Sequence, residues 1–233
     1  MNLIQHLIEP HRLFLFWQRP IAGKERRTRH LVGEIERVAD GTVFRYLKNQ
    51  DDFARAREEG FQGFPAFDIK KASEYTTGAL DAFMRRVPPR RRDDFIEYLA
   101  RHRLPETFAG SDLALLAYTG AKLPGDGFEI VPDLAGIAPP MELVMEVAGF
   151  RHQDVPIDTI AVGEKVELVP EPNNQVDPEA VAVMCAYGRI GYIARPYRTT
   201  VNNWLSCFSV EANIDRINGK PDRPLVYLFI NVS

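Results

Sequence analysis

The chain has 233 residues, 45% of them hydrophobic, and its 29 Lys and Arg against 32 Asp and Glu give a formal net charge of −3. That length can bury one large core or two small ones, and we read two, while the slightly acidic balance excludes a protein that coats nucleic acid or membrane by bulk charge. No apolar run is long enough to cross a bilayer and MNLIQHLIEPHR has no signal-peptide pattern, so a cytoplasmic location is expected.

RLFLFWQ, HLVGEIERV and TVFRYL read as strands, and Ala39-Asp40-Gly41 joins the last two as a hairpin. The polar, basic PIAGKERRTR between the first two reads as an exposed loop, with solvation preferred over nucleic-acid contact. DDFARAREEG predicts a short helix with Asp51 as N-cap and Gly60 as stop. FQGFPAFDI is extended by Gly and Pro. TTGALDAFMRRV places Leu80, Phe83, Met84 and Val87 at helical spacing, and DDFIEYLARH does the same with Phe95, Ile96, Tyr98 and Leu99. Pro88 and Pro89 separate these two helices. Asp51-Asp52 and Asp93-Asp94 fall at helix starts, where carboxylates meet the positive end of the dipole. SDLALLAYTG predicts a helix capped by Ser111 and Gly120.

VPDLAGIAPP then breaks regular structure, giving a linker over 133–140 between a first lobe, 1–132, and a second domain, 141–233. In that domain LVMEVAGF, VGEKVELVPE and AVAVMCAYGRIGYIA are apolar runs of strand character. PNNQVDPEA between the last two is a turn-rich loop crowded with donors and acceptors. RPYRTTVNNWLSCF sets Tyr197, Val201, Trp204, Leu205 and Phe208 on one helical face. VEANIDRI and PLVYLFINV, with a turn at Asn218-Gly219, complete a barrel. The expected class is α+β: a small antiparallel sheet with helices, then a β-barrel with a helix.

Catalytic constellations are not legible. His6, His11, His30, His102 and His152 lie in different predicted elements, and none pairs with Cys, Asp or Glu at a ligand spacing. Cys185 and Cys207 read as buried free thiols, and Ser206 has no glycine elbow. The expectation is a protein that is not an enzyme and needs no cofactor or metal. Arg85, Arg86, Arg90, Arg91 and Arg92 form the densest basic cluster, which is a solvated helix end, a partner surface or a nucleic-acid contact.

GFRHQDV, ELVPEPNNQVDPEAVAV and GRIGYIARPY, in that order between Met141 and Trp204, resemble a HIRAN domain. The resemblance implies a module that binds nucleic acid rather than one that catalyses. Arg151 stands where the family has an arginine after its first strand. Asn173, Asn174 and Asp177 match the polar loop that helps hold a terminal nucleotide at its 3′-hydroxyl, and Gly191, Tyr192, Ile193 and Arg195 match the later strand and its basic exit. Val176 and His152 stand where the family has aromatics; His152 replaces part of one, and stacking is reduced. On the residues alone, Asn173, Asn174 and Asp177 either meet a ligand or shape the turn through side-chain to backbone bonds. Residues 131–233 hold 8 Lys and Arg against 13 Asp and Glu, a balance of −5, whereas 1–130 hold 21 against 19. Recognition of a strand end fits an acidic domain better than a grip along a duplex. Arg151, Lys165, Arg195 and Arg198 are the local cations available to a phosphate.

Residues 12–132 resemble, less sharply, the N-terminal subdomain of HipA-type serine/threonine kinases, through the segment from Phe83 to Pro88 and through LLAYTGAKLPGDGF. This implies docking in trans on a HipA-type kinase, with Arg85, Arg86, Arg90 and Arg91 as partner-binding residues, within a toxin–antitoxin system. In that reading the chain also carries the HIRAN module, which binds single-stranded DNA with a free 3′ end through Arg151, His152, Asn173, Asn174, Asp177, Tyr192 and Arg195. The other reading is a DNA-repair or DNA-processing accessory protein that recognises DNA ends through the HIRAN domain.

Overall fold

The computed structural model describes residues 2–20, 28–220 and 223–233. The chain forms two compact units, Ile8–Leu134, and Met1–Leu7 together with Ala135–Ser233. Among the described residues no helix is long and apolar enough to cross a membrane.

In the first unit, strands β1 (Arg12–Trp17), β2 (His30–Val38) and β3 (Gly41–Tyr46) are joined by β4 (Glu74–Tyr75) and β5 (Phe128–Pro132) in the order β4-β3-β2-β1-β5. The predicted hairpin forms; Val38 pairs with Gly41, so its two turn residues are Ala39 and Asp40, and Gly41 belongs to the ladder. Leu13 pairs with Ile35, which pairs with Phe44, and all three are buried on one face. Arg12, Glu34 and Arg45 lie on the other face, where Arg12 pairs with Asp133 at 2.6 Å. The basic loop expected over 20–29 falls outside the described residues for positions 21–27.

The helices are α1 (Asp51–Glu58), α2 (Ala79–Met84), α3 (Phe95–Arg101) and α4 (Asp112–Thr119). Ser111 caps α4 by accepting the Ala114 N–H at 3.2 Å, and Gly120 ends it in the left-handed conformation, as the sequence predicts. Leu113, Leu115 and Leu116 are buried on α4, and Phe44, Phe61, Phe64, Phe67 and Phe83 fill the core with edge, tilted and stacked ring contacts. Tyr46 joins that core through its hydroxyl, which donates to the Phe67 carbonyl at 2.7 Å and accepts the Phe64 N–H at 2.8 Å.

Several local expectations are corrected. Gln50, not Asp51, is the N-cap of α1: the helix begins at Asp51, one residue earlier than predicted, and the Asp52 carboxylate accepts the Leu31 N–H at 3.0 Å. Asp94 precedes α3 without capping it, its carboxylate being held by Arg92 at 2.6 Å. Ile96 is 49% exposed, because α3 is too short to wrap a second apolar stripe onto the core.

The second unit is a closed barrel in the order β10-β11-β6-β9-β8-β7. Its strands are β6 (Met141–Ala148), β7 (Lys165–Pro170), β8 (Val181–Cys185), β9 (Gly188–Ile193), β10 (Val210–Lys220) and β11 (Arg223–Val232), and α5 (Arg198–Cys207) lies against β8. Leu143, Met145, Val183, Ile190, Ile214, Val226 and Leu228 are buried in it, as the alternation of each strand requires. The run AVAVMCAYGRIGYIA is two strands, with Ala186 and Tyr187 as the turn and Cys185 paired with Gly188. Asn218 and Gly219 are not a turn: they pair with Leu225 and Pro224, because burying Ile214 opposite Leu228 fixes a register that carries the ladder on to Lys220 and Arg223. Val201 and Trp204 of α5 are buried, but Phe208 ends the helix exposed. Cys185 is half-buried and Cys207 exposed, so neither is the buried thiol expected; both are free. Residues near the N-terminus close on β6, where the buried Glu142 carboxylate accepts the N–H groups of Gln5 at 2.5 Å and His6 at 3.1 Å.

Candidate nucleic-acid interface

The site is built on the β8–β9 hairpin and the loop Glu171–Ala180, which the Glu171 N–H closes by donating to the Ala180 carbonyl at 2.8 Å. Within this loop the Asn174 Oδ1 accepts the N–H groups of Val176 at 3.0 Å and Asp177 at 3.2 Å, while its Nδ2 donates to the Glu171 carboxylate at 2.7 Å. Asp177 Oδ1 accepts the Glu179 N–H at 3.1 Å, and Oδ2 pairs with Arg198 at the start of α5. Arg198 also donates to Glu179 at 3.1 Å, and Thr199 and Asn202 donate to the same residue. Asn174 and Asp177 therefore shape the loop, as local side-chain to backbone bonding predicts. Asn173 beside them is exposed.

Strand β9 carries a bulge: Val183 pairs with Gly191 and Met184 with Arg189, which leaves Ile190 as the extra residue. The bulge brings Arg189 and Tyr192 to the same side. Arg189 lies over the Tyr192 ring at 4.9 Å, donates to Gln153 Oε1 at 3.0 Å and pairs with Glu171 at 3.2 Å. The Tyr192 hydroxyl donates to Glu171 at 3.2 Å. Gly191 makes the arrangement possible, because a Cβ there would stand 2.5 Å from the Ala148 carbonyl oxygen, at a φ of +144° that other residues avoid. At this point β6 and β9 pair through Val147 with Ile193 and Ala148 with Tyr192.

The tight turn Phe150–His152 follows β6, with Phe150 buried and Arg151 and His152 exposed. Arg151 Nε donates to His152 Nε2 at 3.0 Å. Gln153 ties this turn, through Arg189 and Glu171, to the polar loop. Arg151, His152, Asn173, Asn174, Asp177 and Tyr192 are thus carried by segments joined in one bonded network, and Arg195 opens the turn Arg195–Tyr197 that leads into α5.

The electrostatics are balanced rather than basic. Arg189 and Arg198 are matched by Glu171, Asp177 and Glu179, and Lys165 pairs with Glu211 at 3.6 Å. Hydrogen bonds from Asn174, then Tyr192, together with the Arg189 charge, hold the Glu171 carboxyl below its usual range against a burial effect of opposite sign. Burial raises the Tyr192 phenol. Sequence reading missed Gln153, Glu171 and Arg189, since regular alternation puts Arg189 and Tyr192 on opposite faces; GRIGY, with a glycine between two long polar side chains, was the available signal of a bulge.

Of the arginines expected to meet a partner, Arg86 is not at the surface. Its side chain is 7% exposed, with Nη1 2.6 Å from Asp126, Nε donating to the Ala121 carbonyl at 2.8 Å, and the guanidinium over the rings of Phe64 and Phe128. The end of α2 is anchored by it. Arg90 bonds the Gly110 carbonyl at 2.9 Å and Asp112 at 3.0 Å, whereas Arg85 and Arg91 are exposed.

Fold and site together define a small closed antiparallel barrel that presents a stiffened polar loop beside an exposed arginine. Residues 141–224 match the HIRAN domain family, wholly within the second unit. Among solved structures the chain is similar to the HIRAN domain of human HLTF, with 21% identity over 39% of this chain and 75% of that one and a TM-score of 0.28. It is also similar to a protein from Lactobacillus plantarum, with 25% identity over 38% of this chain and 91% of that one and a TM-score of 0.30. No curated protein matches the chain.

Proposed function

We propose that the protein is a non-enzymatic binding protein whose second unit takes the free 3′-hydroxyl end of a single nucleic-acid strand, DNA in the first instance. The observation that carries this is the loop Glu171–Ala180, held in one shape by Asn174, Asp177 and Arg198 and bonded through Arg189 and Gln153 to the turn that exposes Arg151. A preformed loop binds without an ordering cost. Asn173 is exposed, and Asp177 uses two of its roughly four lone-pair positions, so both retain capacity for a terminal hydroxyl. Arg151, exposed on the turn after β6, is the residue that holds a phosphate behind it in this reading. The HIRAN match supports the same reading.

With so few cations available, binding is weak and its salt slope shallow, about −0.7 per neutralised phosphate. Fluorescence anisotropy of the full chain with a short single strand, bearing either a 3′-hydroxyl or a 3′-phosphate, tests it. The hydroxyl end binds better, Asp177→Ala removes the difference, and Arg151→Ala weakens both. Equal affinity for the two ends, or none at low salt, rejects the reading.

For the first unit the finer reading is docking on a HipA-type kinase in trans, within a toxin–antitoxin system. It rests on the resemblance over residues 12–132 and on the exposure of Arg85 and Arg91 at the end of α2 and beyond it. Co-purification of the full chain with a shortened kinase encoded beside it, lost on Arg85→Glu and Arg91→Glu, is the expected result. An adjacent helicase or nuclease gene in place of a kinase favours the DNA-processing alternative.

A further inference from the structure

We propose that Tyr187, at the tip of the β8–β9 hairpin, is a stacking surface for a nucleobase behind the terminal nucleotide. The proposal rests on the end-binding reading above and adds to it a residue outside the polar loop. Tyr187 is 64% exposed, and a two-residue hairpin turn gains nothing from an aromatic, since Asn, Asp and Gly fit such turns better.

Its position is fixed on both sides. Cys185 pairs with Gly188, where a Cβ would stand 3.6 Å from Val155 Cγ2, and Arg189 bonds Gln153 at 3.0 Å. The hairpin tip is therefore fastened to the segment that carries Arg151 and His152. A ring held on a rigid turn loses little freedom when a base stacks on it.

Other surfaces are poorer. Tyr192 has one face covered by Arg189 and its hydroxyl on Glu171, and Val176, although 73% exposed, is aliphatic. Phe208 is the other well-exposed aromatic of this unit among the described residues, and it lies past the far end of α5, about 15 Å along the helix from Arg198.

The test uses the full chain and 3′-hydroxyl oligonucleotides in which one of the last four bases is replaced by an abasic site. Tyr187→Ala weakens the intact oligonucleotide about tenfold, while Tyr187→Phe and Tyr187→Trp retain affinity, because stacking needs a ring and not a hydroxyl. At one base position the abasic loss and the Tyr187→Ala loss are not additive. The preference for hydroxyl over phosphate survives Tyr187→Ala, which separates this residue from Asp177. If the unaltered protein binds and Tyr187→Ala binds as well, or every abasic loss adds fully, the inference falls and the end-binding reading stands. If the unaltered protein binds no oligonucleotide, both fall.

Discussion

Arg189 and Tyr192 stack at 4.9 Å although they stand three residues apart on one strand, a separation that puts side chains on opposite faces of a regular strand. The extra residue at Ile190 reverses the alternation, and one arginine then meets the Tyr192 ring, Gln153 and Glu171 together. The bulge thus sets the distance between the turn at Arg151 and the loop at Asn174.

Arg189→Lys removes the planar fork that serves these partners at once. The stacking contact at a partly exposed site is worth about 1 kcal/mol, so exchange of the Val176 and Asp177 amides accelerates about fivefold. Hydrogen exchange followed by mass spectrometry reads this, and unchanged protection would show that the loop is held without Arg189. The unfolding midpoint of the protein moves little.

Gly191→Ala strains the seam between β6 and β9. The added methyl meets the Ala148 oxygen at 2.5 Å and Val147 Cγ1 at 2.6 Å, a backbone atom and a buried side chain of the paired strand. A loss of about 3 kcal/mol in denaturant unfolding is expected. Gly149→Ala, also at positive φ but with no atom within 4 Å, loses only the conformational part, about 1 kcal/mol. Equal losses at the two positions would remove the steric argument.

Glu171 gives the loop an acid limit. Its folded carboxyl is depressed below the ordinary value of 4.5, so its contribution is fully present above that value and is lost as pH falls through the lower, folded one. Loop order and oligonucleotide binding therefore decline in acid below about 4.5. Glu171→Gln, which cannot titrate, flattens this part of the profile while weakening binding at neutral pH; an unchanged profile would point to another group.

Arg86 separates scaffold from surface. Arg86→Met leaves Asp126 without its 2.6 Å partner and the Ala121 carbonyl without its donor, at a cost of about 3 kcal/mol to the first unit. Arg85→Ala and Arg91→Ala change stability by less than about 0.5 kcal/mol. Calorimetry of the full chain compares the three, and a neutral Arg86→Met would mean that its ring contacts alone hold the end of α2.

Much of the scaffold was legible because local and tertiary demands agree there. Ser111 and Gly120 bracket an apolar stretch that is buried, and Ala39-Asp40 turns two strands whose inward residues pair in the core. Where the two demands diverge, tertiary register prevails. Asn218-Gly219 has turn chemistry yet sits in the β10–β11 ladder, while Ala186-Tyr187 has little turn chemistry and makes the turn, because both registers follow the buried faces of the barrel. In the site, the residues that meet on the loop were readable from PNNQVD, but Arg189 was not, since a bulge changes its face without changing composition. Arg86 reads as one of five surface arginines until Phe64, Phe128 and Asp126, distant in sequence, close around it.

Gln5 and His6 rest on Glu142, in a unit whose remaining residues begin at Ala135, so the sheet-and-helix unit is an insertion within the barrel unit's chain, tethered at both of its ends. A backbone cut in the first tether frees only residues 1–7, whereas a cut in the second leaves the sheet-and-helix unit held to the barrel strands through residues 1–7, seated on Glu142 by hydrogen bonds. An excised 141–233 fragment leaves the buried Glu142 carboxylate without its two backbone donors. Linking residues 1–7 directly to 135 is the excision that preserves them.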